Sequence, residues 1–331
     1  MLSKVMVTGG AGMIGSNLVK RLVSLGHEVI VVDNLWRGRL DYLKDDAGQD
    51  VLDMARCFHE IDLKIPGAID GLLDDVDYVF HLADIVAGIG YVFKNQGSLF
   101  RENFLINSNV IDSVRRHPMK GYIYVGTACS FPAHKQSGVD AAPLKESDQY
   151  PASPESAYGW SKLMGEYEAM LMEQETGIPV SVLTLHNVYG APADFSLVTS
   201  QVIPSLIRKA IRSSEEEFVV WGSGQQGRAF VHVDDVVDAL VLTMGKGLGK
   251  GLIQIGPNVC TSIREIAEIV VSISGKPINI RFDTSRPEGD RGRCADYSRA
   301  QEVIGWTPKV DMRSGLTDLY RWIEKRIAGA A

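Results

Sequence analysis

The sequence has little cysteine, no excess of positive charge and no long apolar run, and each shortage removes a class of function. Its four cysteines, Cys57, Cys129, Cys260 and Cys294, stand far apart with no Cys-x-x-Cys spacing. That pattern suggests neither a zinc site nor a disulfide framework, and no metal is expected. Cys57 and Cys260 have apolar neighbours in the sequence and are expected in the core. The formal net charge is -7, whereas a sequence-independent nucleic-acid binder needs basic excess to replace phosphate counterions, so no nucleic acid is expected as a partner. No stretch approaches a membrane span and the first residues run directly into a strand-like segment; the expectation is a cytoplasmic protein with no membrane association. What remains is a chain of 331 residues, long enough for two domains or for one large domain with a lobe.

Short β-branched runs alternate with helical patterns through the first half. A strand over 4–8 is followed by Gly9-Gly10-Ala11-Gly12-Met13-Ile14-Gly15 and then by a helical pattern over 16–25. Glycines in that strand-turn-helix setting allow a tight turn and let a pyrophosphate approach the backbone at the helix N-terminus. Gly9, Gly12, Met13, Ile14 and Gly15 are therefore expected to bind a dinucleotide. A second strand, 27–32, ends in Asp33, placed to accept hydrogen bonds from an adenosine ribose and to repel a 2′-phosphate, which favours NAD over NADP. Arg37 and Arg39 follow, and a phosphate there is the competing possibility.

Further strands are expected over 56–61, 76–82, 121–125, 180–185 and 251–255, with a long helix over 98–116. Asp62 closes the first of these, as a contact to the adenine edge or as a helix N-cap. Leu82 and Ala83 open a loop of small residues that can run under the cofactor, and Asn103 is a candidate to support the active site from its helix. Strands and helices of these lengths specify an α/β fold, a Rossmann-type doubly wound parallel sheet, with a smaller α/β substrate-binding lobe. The NAD-binding domain is assigned to 1–189 plus about 231–257, and the lobe to about 190–230 plus 258–331. Within the lobe the pattern predicts helices at 203–211, 263–274 and 313–326.

Tyr158 and Lys162 stand four residues apart, just after a segment containing Pro151 and Pro154. On a helix such residues share a face, so the Lys162 ammonium can favour the Tyr158 phenolate. A phenol lowered toward neutrality can take a proton from a substrate alcohol while hydride leaves the same carbon. Thr127 and Cys129 leave the 121–125 strand at its carboxyl end, where ligands bind in open α/β sheets.

The glycine turn, Asp33, Asp62, Thr127, Tyr158-x-x-x-Lys162 and the Arg228–Asp235 stretch RAFVHVDD together resemble the extended short-chain dehydrogenase/reductase family across almost the whole chain. The resemblance implies a nucleotide-diphospho-sugar substrate, with the sugar over the nicotinamide and the nucleotide in the smaller lobe. It also implies a homodimer built on the helices at 98–116 and 157–176. Within the family the chain is most similar to GDP-mannose 3,5-epimerases and then to GDP-fucose synthases. The likeness is carried by TACSFP at 127–132, HNVYG at 186–190, WGSG at 221–224, PEGDRGR at 287–293 and GWTP at 305–308.

By that likeness the chain is an isomerase of carbohydrate biosynthesis. Cys129 is the base that removes a proton beside a carbonyl, Arg228 and Arg293 bind diphosphate, and Asn187 lines the substrate site. One departure stands out. Those enzymes pair the Cys with a Lys or His acid, and here 191–205 contains neither, with Gln201 or Val202 in that place. An amide has no accessible pKa, so the acid is water, Lys94, His186 or a hydroxyl, or inversion by two bases does not occur. The competing readings on the same scaffold are a 5,6-dehydratase and a C4-epimerase, in which Cys129 is only a packing residue. A 4,6-dehydratase is disfavoured by Ala128-Cys129, and a non-catalytic dinucleotide sensor by the joint presence of Thr127, Tyr158 and Lys162.

Overall fold

The structure is a computed structural model and describes residues 2–214, 216–286 and 291–329. The first half runs β1 (Lys4–Thr8), α1 (Met13–Ser24), β2 (Glu28–Asp33), a single helical turn α2 (Met54–Cys57), β3 (Phe58–Glu60) and β4 (Tyr78–His81). It continues with α3 (Ile89–Lys94), α4 (Gln96–Val114), β5 (Gly121–Thr127), α5 (Ala157–Thr176) and β6 (Val180–Leu185). After these come β7 (Asn187–Tyr189), α6 (Val202–Ile211), β8 (Val219–Trp221), β9 (Gly227–Arg228), β10 (Phe230–His232), α7 (Val233–Lys246) and β11 (Gly251–Ile255). The chain closes with β12 (Thr261–Ser262), α8 (Ile263–Ser274), β13 (Arg281–Asp283), β14 (Gly292–Arg293), α9 (Ser298–Ile304) and α10 (Met312–Ala328).

Seven strands form one sheet in the order β3-β2-β1-β4-β5-β6-β11, every pair parallel. Parallel strands need long crossovers, and the helices that supply them cover both faces. Alternation along β1 shows this directly, because Val5 and Val7 face one layer with α1 and α7 while Met6 faces the other with α4 and α5. All three are fully buried. The order reverses between β1 and β4, so the helices after these strands leave on opposite faces and open a crevice at the carboxyl edge.

The lobe has its own core, formed by α6, α8 and α10 around Phe218, Val220 and Phe230. Helix α8 begins with a reciprocal cap between Ser262 and Glu265, which satisfies two N-terminal amides at once. Ala300 and Ile304 of α9, with Trp306, pack in the α1/α7 layer rather than in the lobe. Trp306 Nε1 donates to the Asp235 carbonyl at 2.8 Å, and the Asp235 carboxylate accepts from the amides of Lys309 and Val310.

Local differences from the sequence reading have local causes. The strand expected from 56 starts at Phe58, because Asp53 accepts from the Ala55 amide and caps a helical turn first. The small-residue loop after β4 contains α3. Cys57 is half-buried and Cys260 is joined to Cys294 in a disulfide, correcting the expectation of isolated core cysteines. The cause is topological. β12 and β14 both pair with β9, which brings the two cysteine Cα atoms to 5.4 Å. Residues 287–290, part of the PEGDRGR stretch, lie outside the described residues.

Candidate active site

A crevice of about 890 Å³ runs from the β1-α1 turn across the carboxyl edge of the sheet to the lobe. Its first wall is the glycine turn. Gly9 has φ +71°, and a Cβ there would lie 2.8 Å from the Ala83 nitrogen, so no side chain fits between the turn and the loop after β4. A Cβ on Gly15 would collide with the Gly9 carbonyl, so α1 can start this close to β1 only with glycine. The cradle fits a dinucleotide pyrophosphate: backbone amides at a helix N-terminus, no side chain in the way, and no acidic residue in the first turn of α1. Met13 and Ile14 line it, as do Leu82 and Ala83.

Asp33 is fixed for recognition by its own backbone bonds, accepting from the Ala11 amide at 3.0 Å and the Leu35 amide at 2.8 Å. Burial pushes its carboxyl up, and those bonds oppose the shift. Arg37 and Arg39 are engaged elsewhere, Arg37 with Asp194 and the Val86 carbonyl and Arg39 with Asp41. Both arrangements favour a 2′-hydroxyl over a 2′-phosphate. Asp62 is not a helix cap; it accepts from the Lys64 amide at 3.0 Å on the crevice rim.

Helix α5 presses against the carboxyl end of β5. A Cβ on Gly159 would collide with the Cys129 carbonyl oxygen, and Gly165 lies against Tyr124 and Asn107. These two glycines let the helix bring Tyr158 to the turn that follows β5. The Ser156 hydroxyl caps the helix by accepting from the Gly159 amide at 3.3 Å. Thr127 Oγ1 accepts from the Cys129 amide at 3.3 Å and hydrogen-bonds the Tyr158 phenol. Asn103 holds the loop after β4, accepting from the Ile85 amide at 2.8 Å and donating to its carbonyl at 3.2 Å. Behind it, Thr8, His81 and Asn107 form a buried chain of contacts at 2.7 and 2.9 Å. Burial brings His81 down to about 3, so it stays neutral.

Two features differ from the sequence expectation. Lys162 Nζ lies 2.7 Å from the Asp84 carboxylate, with both side chains almost wholly buried. Burial pushes the Tyr158 phenol well above its ordinary range rather than toward neutrality. Asp84 and then Cys129 add to that shift, while the Thr127 bond and the Arg37 charge oppose it. A lone acid in a loop of small residues carries no spacing signal, so the Asp84 partner was not legible. The second feature is Arg293, whose Nη1 donates to Cys129 Sγ at 2.8 Å. A guanidinium against the sulfur is the cationic neighbour that reactive cysteines use. Arg228 lies beside Arg293 in paired strands, its Nη1 donating to the Gly227 carbonyl at 2.8 Å.

The remaining substrate candidates, Asn187 and Gln201, line the same crevice from β7 and from the start of α6. Of the alternative acids, Lys94 lines the crevice from α3. His186 also lines it but is buried, held by Gln254 at 3.0 Å, and brought down to about 4 mainly by burial. Among the described residues no cluster of His, Cys, Asp and Glu could hold a metal, and no helix is long and apolar enough to cross a membrane.

Residues 5–256 match the model of the NAD dependent epimerase/dehydratase family. A GDP-mannose 3,5-epimerase of Arabidopsis thaliana is 32% identical over 324 residues, covering 98% of this chain and 83% of that one. GDP-L-fucose synthase 1 of the same plant is 29% identical over 333 residues, covering 98% of this chain and 94% of its own. Among solved structures, a UDP-glucose 4-epimerase with UDP-glucose from Thermotoga maritima is similar with a TM-score of 0.87 and 27% identity, covering 98% of this chain and 99% of that one.

Proposed function

Since the chain belongs to the NAD-dependent epimerase/dehydratase family, within the extended short-chain dehydrogenases/reductases, we propose that this NAD-dependent nucleotide-sugar epimerase acts on a GDP-sugar and inverts C3, C5 or both. The observation that carries this reading is Cys129, whose backbone amide donates to Thr127 Oγ1 and whose thiol accepts from the Arg293 guanidinium, in the crevice that Tyr158 also lines. A C4-epimerase needs no carbon base there. The 32% identity to a GDP-mannose 3,5-epimerase supports the same choice.

Bound NAD supplies reversible removal and return of hydride at the sugar C4 carbon. Tyr158, hydrogen-bonded by Thr127, moves the proton of the C4 hydroxyl. Cys129, with the Arg293 guanidinium on its sulfur, takes the proton from the carbon beside the C4 carbonyl. Protonation of the opposite face inverts that carbon, and Lys94 and the hydroxyls on the crevice wall are the acids within the site. Arg228 and Arg293 hold the diphosphate, and Asn187 and Gln201 contact the sugar. Cofactor ends in the state in which it began, so turnover needs no added reductant.

The acting form is a homodimer. Helices α4 and α5 pack on each other and expose Phe100, Phe104, Trp160, Tyr167, Met170 and Leu171, an apolar surface of the kind that subunit interfaces cover.

The test is incubation with GDP-mannose without reductant, for the wild-type protein and for Cys129→Ser. A C3 or C5 epimer formed only by the wild type supports the proposal. A second reading, C4 inversion alone, is favoured by the absence of Lys and His from 191–205 and by the likeness to a UDP-glucose 4-epimerase. It predicts a 4-epimer from both proteins, while loss of the 6-hydroxyl marks a 5,6-dehydratase.

A further inference from the structure

Asp84 is a buried ionisable group at the crevice wall to which the mechanism assigns no work. It stands in the loop that leaves β4, and its side chain is 2% exposed. Its carboxylate lies 2.7 Å from Lys162 Nζ, itself 3% exposed. The loop is not free to swing. Asp84 Oδ1 accepts from the Ile85 amide at 3.1 Å, and Asn103 binds both the amide and the carbonyl of Ile85.

On the other side Lys162 Nζ lies 4.4 Å from the centroid of the Tyr124 ring. Carboxylate, ring and helix thus enclose the ammonium. Burying a lone carboxylate or a lone ammonium costs far more than burying the pair, so the contact with Lys162 opposes the burial that pushes the Asp84 carboxyl up.

We infer that Asp84 is a positioning residue: it holds the Lys162 ammonium as one half of an ion pair, so Tyr158 faces a compensated charge instead of a bare cation. The inference rests on the reading of Tyr158 as the group that moves the C4 hydroxyl proton. Its consequence is that the protonated form of Tyr158 is favoured in the chain itself. The charged and titratable groups that bear on Tyr158 are Lys162 one turn on along α5, Asp84 from the loop after β4, Cys129 from the turn after β5, Tyr124 from β5 and Arg37 from the loop after β2. Those around Lys162 are Asp84, Glu166 on its own helix and His81 on β4, which is neutral. Of these, Asp84 bears on both residues, opposing the phenolate directly and neutralising the cation that would support it.

The test is a tyrosinate absorbance titration of the full chain, with the Tyr158 signal isolated by subtracting Tyr158→Phe. Asp84→Asn should move that ionisation to lower pH by about one unit or more, and Asp84→Glu, which keeps the charge, should restore it. The limb of the pH-rate profile set by Tyr158 should move in the same direction. An ionisation at the same pH in wild type and Asp84→Asn, or no Tyr158 ionisation in either, overturns the inference. Should Asp84→Asn fail to fold, Asp84→Ser gives the same reading. Tyr158→Phe separately tests the underlying mechanism: full activity there removes Tyr158 from the chemistry, while the titration still decides what Asp84 does.

Discussion

Glu166 should weaken the fold as pH rises through neutrality. It lies one turn after Lys162 on α5, buried, with Oε2 accepting from Gln149 Nε2 at 2.9 Å. Burial brings its carboxyl up from 4.5 to about 7, against the bond from Gln149 and the charge of Lys162. The sign follows from proton counting. Between these two values the folded chain holds a proton that the unfolded chain has released, so unfolding is favoured as pH increases. The stabilising contribution is complete below about pH 4.5 and gone above about pH 7. A shift of this size corresponds to about 3 kcal/mol at 1.36 kcal/mol per unit. Glu166→Gln removes the titration but keeps an oxygen for Gln149. Urea unfolding of both proteins at about pH 5 and about pH 8 should therefore show the variant gaining about 2–3 kcal/mol relative to wild type between the two conditions. A stability difference that is the same at both pH values refutes the reasoning. The Gln149 amide also reaches Ser130 Oγ at 3.3 Å, and Ser130 donates to the Thr127 carbonyl at 2.7 Å. The ionisation thus bears on the contact between α5 and the Thr127 turn.

Three other perturbations probe the account elsewhere. Asp33→Ala should weaken NAD binding by about 1–3 kcal/mol and narrow the preference over NADP in isothermal titration; unchanged discrimination would remove Asp33 from cofactor selection. Gly159→Ala places a methyl group against the Cys129 carbonyl and should lower stability by about 1–3 kcal/mol, with a loss of turnover that exceeds any change in NAD affinity. Phe104→Glu and Tyr167→Glu put charge on the exposed face of α4 and α5, and light scattering should show a dimer for the wild type and monomers for these variants. A wild-type monomer contradicts the proposed assembly.

The Rossmann half was legible because its signals are local. Glycines between a β-branched run and a helical pattern mean one thing in that order, and β1 occupies the five residues read from the sequence. Tyr158 and Lys162 were legible as a pair by helical spacing, but the direction of the Tyr158 shift was not, since the partner of Lys162 is Asp84, 78 residues earlier in the chain. Short elements were also missed. β7 and β10 are three residues each and exist as strands through pairing with one another. The link between Cys260 and Cys294 depends on β12 and β14 flanking β9, which no spacing reveals. Arg293 was read for its charge, and its contact with Cys129 follows from the register of β14 on β9.

The most direct test of the central claim is proton NMR of the wild-type protein with GDP-mannose in deuterated water, without reductant. Deuterium entering at C3 or C5 of the sugar, and failing to enter with Cys129→Ser, is the predicted result. A 4-epimer carrying no deuterium at any carbon would contradict the assignment of Cys129 as a carbon base.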